Sequence, residues 1–155
     1  QLNDFVGKKA LVIMFICNHC PFVKHLKNEL TTLANDYISK NVGFVAIMSN
    51  DVANYPSDSL ELMAEDVKNF KYPFPYLYDE TQEVAKSYGA ACTPDFYVYD
   101  SNIKLVYRGQ LDDSRPGNDT LSDGADIENA IECLVSGKDN TKLQKPSIGC
   151  NIKWK

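Results

Sequence analysis

Two thiols three residues apart, in Cys17-Asn18-His19-Cys20 with Pro21 directly after, are the residues best suited to chemistry. A thiolate is the nucleophile in disulfide exchange, and a free thiol with a pKa near ~8.5 is mostly protonated at neutral pH. The mouth of a helix favours a negative sulfur through its free N–H groups and its dipole. Cys17, just before such a helix, is expected to be exposed and to act as the nucleophile. Cys20, one turn further in, is placed to resolve a mixed disulfide at Cys17 and release the partner. An imidazole at His19 would stabilise the Cys17 thiolate; the plainer reading makes His19 an exposed loop residue. Structural zinc usually takes four ligands, commonly from two such pairs. The sequence has no second Cys-x-x-Cys and no paired histidines, so no metal is expected.

Cys92-Thr93-Pro94 is the second signal. Pro94 falls between a helix end and a strand, where a central strand would not tolerate it. The five cysteines are an odd number, and three of them, Cys92, Cys133 and Cys150, are scattered. That spacing reads as redox chemistry, not as a secreted disulfide framework. Cys150, in the tail, resolves a sulfenic acid if the tail folds back; the favoured reading is structural. Cys133, between Ile131 and Leu134 on the last helix, is expected to be inert. Arg108 and Arg115 are the only arginines. Either could lower a thiol pKa or bind a carboxylate, and Arg115 is the electrostatic candidate. Asp112 and Asp113 lie between them, so mutual pairing that orders the loop is the simpler expectation. The aromatics of 72–78 read as core or groove lining.

The elements that must position these residues alternate. Ala10–Ile16 is a continuous apolar run, the mark of a strand buried on both faces. Val23, Leu26, Leu30, Leu33 and Tyr37 recur at helical spacing, so a helix runs from Pro21 to about Ser39. Val42–Met48 is a second buried strand, parallel to the first by the crossover rule. Asp58 and Glu61 read as a capping box before a helix marked by Leu60, Met63, Val67 and Phe70. A short strand over Pro75–Tyr78 follows. Then comes a short helix over Thr81–Tyr88 that turns Val84, Ala85 and Tyr88 inward and stops at Gly89. Asp95–Tyr99 and Lys104–Arg108 form a hairpin. A polar loop spans Gln110–Ser122. Ile127, Ala130, Ile131 and Leu134 mark a last helix, closed by Gly137. The tail, from about residue 138, shows no periodicity. The order implies an α/β protein with a central mixed sheet and helices on both faces.

These residues together resemble the thioredoxin superfamily. The lead-in Leu2–Lys8 resembles the start of redoxins. The segments Cys17–Val23, Ala91–Asp95, Tyr107–Gly117 and Ser147–Lys155 are similar to a peroxiredoxin-like subfamily, and the match runs nearly end to end. The resemblance implies a single thioredoxin-like domain over residues 1–155, a redox role for Cys17 and Cys20, and a cis peptide at Thr93–Pro94. It also implies that Thr93 and Pro94 face the thiols and hold an extended substrate by the backbone. Cys92 is then a third redox thiol or a buried small side chain. Three departures stand out. Ile16 replaces the usual Trp before the first Cys. The preceding strand has no acid to accept a proton, leaving water or His19. The peroxidase loop Pro-x-x-x-Thr-x-x-Cys is missing.

Totals narrow the function further. The 155 residues carry 16 basic and 21 acidic side chains, a net charge of −5. Nucleic-acid binding wants a concentrated basic face, so no nucleic-acid partner is expected. No apolar run reaches transmembrane length. The start at Gln1 lacks a signal-peptide layout, so a cytoplasmic protein is expected, or an exported one if a leader precedes it. Three functions remain open. The first is a thiol-disulfide oxidoreductase acting on protein or small-molecule thiols and disulfides. The second is a thiol peroxidase acting on peroxides through Cys17. The third is a redox sensor or binding module without turnover. None requires a cofactor, and oligomeric state is open.

Overall fold

The computed structural model describes residues 2–155. A short 3-10 turn, Leu2–Phe5, precedes strand β1, Ala10–Phe15, all of whose side chains are buried. Helix α1 (Pro21–Ile38), strand β2 (Val42–Met48), helix α2 (Leu60–Phe70) and strand β3 (Tyr76–Tyr78) follow. After them come helix α3 (Glu83–Tyr88), strands β4 (Cys92–Thr93), β5 (Asp95–Asp100) and β6 (Leu105–Gly109), helix α4 (Ala125–Val135) and strand β7 (Cys150–Asn151). The main sheet has the order β3-β2-β1-β5-β6. β1, β2 and β3 are parallel, whereas β5 and β6 run antiparallel. β1 is central and covered on both faces, which is why it reads as an unbroken apolar run.

Alternation along the strands divides the core in two. Val12, Met14, Phe44, Ala46, Phe96 and Val98 pack against α1, α2 and α4. Leu11, Ile13, Phe15, Val45, Ile47 and Tyr97 face the other way, toward Ala85 of α3 and Ile152 of the tail. Val84, expected inward, is exposed, and Ala85 alone is the buried residue of α3. α2 also begins differently from its sequence reading. Ser59 is its N-cap and accepts from the Leu62 amide, while Asp58 is fully buried and turned the other way. The competing cap at Ser59 frees Asp58 for the site below.

The tail is ordered by backbone pairing, which leaves no periodic signature in side chains. The Gln110 amide donates to the Lys145 carbonyl at 3.1 Å, and Ile152 N donates to Ala91 O at 3.0 Å. Between those points β7 pairs antiparallel with β4, Thr93 opposite Cys150. Beyond them Asp51 N donates to Lys153 O at 2.8 Å, and Lys153 N to the Asn50 side-chain oxygen at 2.8 Å. Two glycines permit this approach. A Cβ at Gly109 would overlap the Lys145 carbonyl, and one at Gly149 the Thr93 carbonyl.

Candidate active site

The end of β1 delivers Cys17, and the start of α1 holds Cys20 as its N-cap residue. Pro21 at the first helical position needs no N–H partner there. Opposite them stands the loop of Thr93 and Pro94, whose connecting peptide is cis. The Thr93 hydroxyl lies 3.3 Å from Cys17 Sγ, and the Thr93 carbonyl oxygen lies 3.2 Å from Cys20 Sγ. Cys17 is 1% exposed and Cys20 0%, so the expected exposure of Cys17 is corrected. The tail strand pairs with this loop and sets Cys150 against Cys20.

The missing acid of β1 comes from elsewhere in the chain. Asp58 Oδ1 accepts from the amides of Asn18, at 2.8 Å, and His19, at 3.2 Å. Its Oδ2 faces His19 Nδ1 at 2.6 Å and accepts from Asn50 Nδ2 at 2.8 Å. His19 is therefore no free loop residue, and its ring stacks on Tyr55. Cys17, His19 and Asp58 each place one ligand-type atom within 4.8 Å of the others. Hydrogen bonds from two amides, Asn50 and the imidazole account for the lone pairs of Asp58. Lys27, 3% exposed, pairs with Asp66 and donates to the Asn18 carbonyl at 3.2 Å. Tyr76 OH hydrogen-bonds the Asn18 amide at 3.0 Å. Asp58, Asn50 and Lys27 were not found from the sequence; the one signal was an acid deficit on β1 with no indication of who fills it.

The two thiols share a proton. The hydrogen bond to Cys20, burial and the Asp58 charge push Cys17 up. The same hydrogen bond, seen from Cys20, pulls that thiol down, helped by Cys150 and by the Val23 amide of α1 against the opposing effect of burial. The first ionisation thus belongs to the pair. Thr93 favours the opposite placement of the proton: its hydroxyl can donate to a Cys17 thiolate, and its carbonyl accepts from the Cys20 thiol.

The other predicted residues fall around this centre. Cys150 Sγ lies 2.9 Å from Cys20 Sγ, and all five cysteines are free thiols. Cys92 is half-buried and faces the Pro94 carbonyl at 3.6 Å; burial pushes its thiol up to about 11. Cys133 lies on α4, beside Leu105, Val106 and Lys138. The expected pairing of arginines with Asp112 and Asp113 is corrected. Arg108 pairs with Asp95, and Lys145 takes Asp113. Arg115 donates to the carbonyls of Asp112 and Ser114 and to the Gln110 side chain. These bonds occupy its guanidinium, beside Phe22 and Pro94.

A mixed sheet in this order, with a cis-proline loop facing two cysteines at the start of α1, defines a thioredoxin-like α/β protein. The chain belongs to the redoxin family, whose model matches residues 1–131. No curated protein matches its sequence. An uncharacterized conserved protein from Geobacillus kaustophilus is 60% identical, with a TM-score of 0.97 over 99% of this chain and 82% of that one. A hypothetical protein from Sinorhizobium meliloti 1021 is 49% identical, with a TM-score of 0.97 over 99% and 84%. A putative thiol:disulfide interchange protein DsbE from Chlorobium tepidum shares the fold at 17% identity, with a TM-score of 0.68 over 86% and 84%.

Proposed function

We propose that the protein is a thiol-disulfide oxidoreductase that cycles Cys17 and Cys20 between dithiol and disulfide, with protein or small-molecule thiols and disulfides as partners. The observation that carries this reading is the pair of sulfurs at the start of α1, each within 3.3 Å of an atom of Thr93. In the oxidative direction, the shared proton moves to Cys20 and the Cys17 thiolate attacks a partner disulfide. A mixed disulfide forms and one partner thiolate leaves. Cys20 then attacks Cys17 Sγ, forming the internal disulfide and releasing the second partner thiolate. Asp58 and His19 take up and return the proton that the pair exchanges with solvent.

The test is catalysed insulin reduction with dithiothreitol as electron donor. Wild type is expected to turn over many times, and Cys17→Ser and Cys20→Ser to lose roughly 100-fold or more, as nucleophile removals do. Cys20→Ser is expected to accumulate a mixed disulfide at Cys17. No turnover with insulin or glutathione would leave a sensor or binding module instead.

The Thr93 hydroxyl beside Cys17 favours a second reading, a thiol peroxidase. It supplies, from the cis-proline loop, the kind of hydroxyl that the missing peroxidase loop would have brought. Stoichiometric hydrogen peroxide separates the two. Oxidation of Cys17 no faster than that of a free thiol supports disulfide exchange. Fast oxidation, with sulfenic acid trapped in Cys20→Ser, makes the protein a peroxidase.

A further inference from the structure

The tail strand occupies the place where an extended partner would pair with the Thr93 backbone, and it brings a cysteine to the redox pair. We propose that Cys150 is a third redox-active thiol of the site, which exchanges with the Cys17–Cys20 disulfide and carries it onto Cys20 and Cys150. The inference rests on the reading that Cys17 and Cys20 form a disulfide.

Three observations support it. Cys150 Sγ is 2.9 Å from Cys20 Sγ, and Cys20 also shares its proton with Cys17, so Cys20 is the common neighbour of both sulfurs. The strand holding Cys150 is pinned on both sides, by Ser147 Oγ donating to Asp95 and by Ile152 N donating to Ala91 O. Its position is thus built into the fold, not reached by a chance excursion. Cys150 is also partly exposed, whereas Cys17 and Cys20 are closed off. A disulfide moved to Cys20 and Cys150 has one sulfur that a partner thiolate can attack.

The step balances without an outside oxidant. The Cys150 thiolate attacks Cys20 Sγ; the Cys20–Cys150 bond forms as the Cys17–Cys20 bond breaks, and the electron pair leaves on Cys17 Sγ. The proton lost by Cys150 goes to solvent, and the Cys17 thiolate recovers one through Asp58 and His19. Electrostatics favour the step in the oxidised state. In the dithiol, burial, hydrogen bonding to Cys20 and the Cys20 charge hold the Cys150 thiol up at about 11. Once Cys20 is in a disulfide, the last two causes vanish, and Lys153 still favours the Cys150 thiolate.

The experiment oxidises the full chain to one disulfide with oxidised glutathione. The free thiols are then blocked in acid, and tryptic peptides are mapped by mass spectrometry without reduction. Cys17 and Cys20 share one peptide and Cys150 lies in another, so the relay gives a cross-linked pair. Wild type is expected to show both the internal and the cross-linked form. Cys17→Ser should give the Cys20–Cys150 cross-link, surviving reduced glutathione near ~1 mM, the effective concentration of a closely tethered thiol. Cys150→Ser should give the Cys17–Cys20 bond only. Wild type with the internal bond alone, and Cys17→Ser stopping at glutathione on Cys20, would overturn the relay and leave the dithiol reading standing. Cys150→Ser failing to form any Cys17–Cys20 bond would overturn both.

Discussion

Asp58 does at the residue scale what the sequence of β1 could not: it puts a buried acid next to the redox pair. It is fully buried, and its four hydrogen-bond donors come from the Cys17–Cys20 loop and from Asn50. A unit charge within 4.8 Å of Cys17 Sγ is worth about 3 kcal/mol at an effective dielectric near ~20. Its sign opposes a Cys17 thiolate. Asp58→Asn in a Cys20→Ser background is therefore expected to lower the Cys17 pKa and speed its alkylation by iodoacetamide at pH 7 roughly tenfold, His19 offsetting the rest. An unchanged or slower rate would show that Asp58 acts on position alone. The two thiols and His19 were legible from spacing in the sequence. Asp58 was not, because an acid before a helix reads as a cap, and only the tertiary fold shows Ser59 taking that role.

At the scale of elements, the same limit recurs in the loop between β6 and α4. Local spacing suggested Arg–Asp pairs there, yet the loop is ordered by one buried carboxylate among hydroxyls and amides. Asp112, 2% exposed, accepts from Ser114 N and Oγ with one oxygen. The other oxygen accepts from Ser122 Oγ and from the amides of Asp123 and Gly124, which ties the loop to the start of α4. Burial alone would raise its pKa, but these hydrogen bonds outweigh it and hold the carboxyl below the usual range. A depressed acid adds stability above the unfolded pKa of about 3.9, and that stability is lost as pH falls through the folded pKa. Asp112→Asn, which turns an N–H₂ toward donors, is expected to cost about 2–3 kcal/mol in urea unfolding at pH 7. The gap to wild type should narrow below pH ~4, where the unfolded-state carboxyl begins to protonate, and shrink further as pH falls through the lower folded pKa. A gap constant from pH 7 to 3 would assign the cost to shape instead of charge. The main-sheet strands and the helices were legible, because β1 and β2 are unbroken apolar runs and the helices bury a periodic face; the loop was not, because its partners are backbone amides that every residue carries.

For the whole molecule, access to the thiols is the question that the tail raises. It carries no helical or strand period, so its role was invisible in sequence apart from the bare presence of Cys150. In the fold it crosses the cis-proline loop, and Ile152, 3% exposed, anchors it in the core face opposite α1. Cys17 and Cys20 are 1% and 0% exposed, and the tail strand pairs with the loop that faces them, so lifting of the tail is the expected route by which a reagent meets them. Such local opening has its own free energy, below that of global unfolding. Ile152→Ala leaves a cavity and is expected to cost about 2–4 kcal/mol. If about 2 kcal/mol of that falls on tail opening, the open population and the alkylation rate of the reduced pair rise about 30-fold. Cys133, on α4 and away from the β4–β7 pair, serves as the internal control and should react at its wild-type rate. A variant that loses global stability while Cys17 and Cys20 react no faster would mean that partners enter by a route the tail does not gate. The tail strand would then act only as a carrier of Cys150. Faster reaction of Cys17 and Cys20, with Cys133 unchanged, would establish it as the cover that a partner must displace.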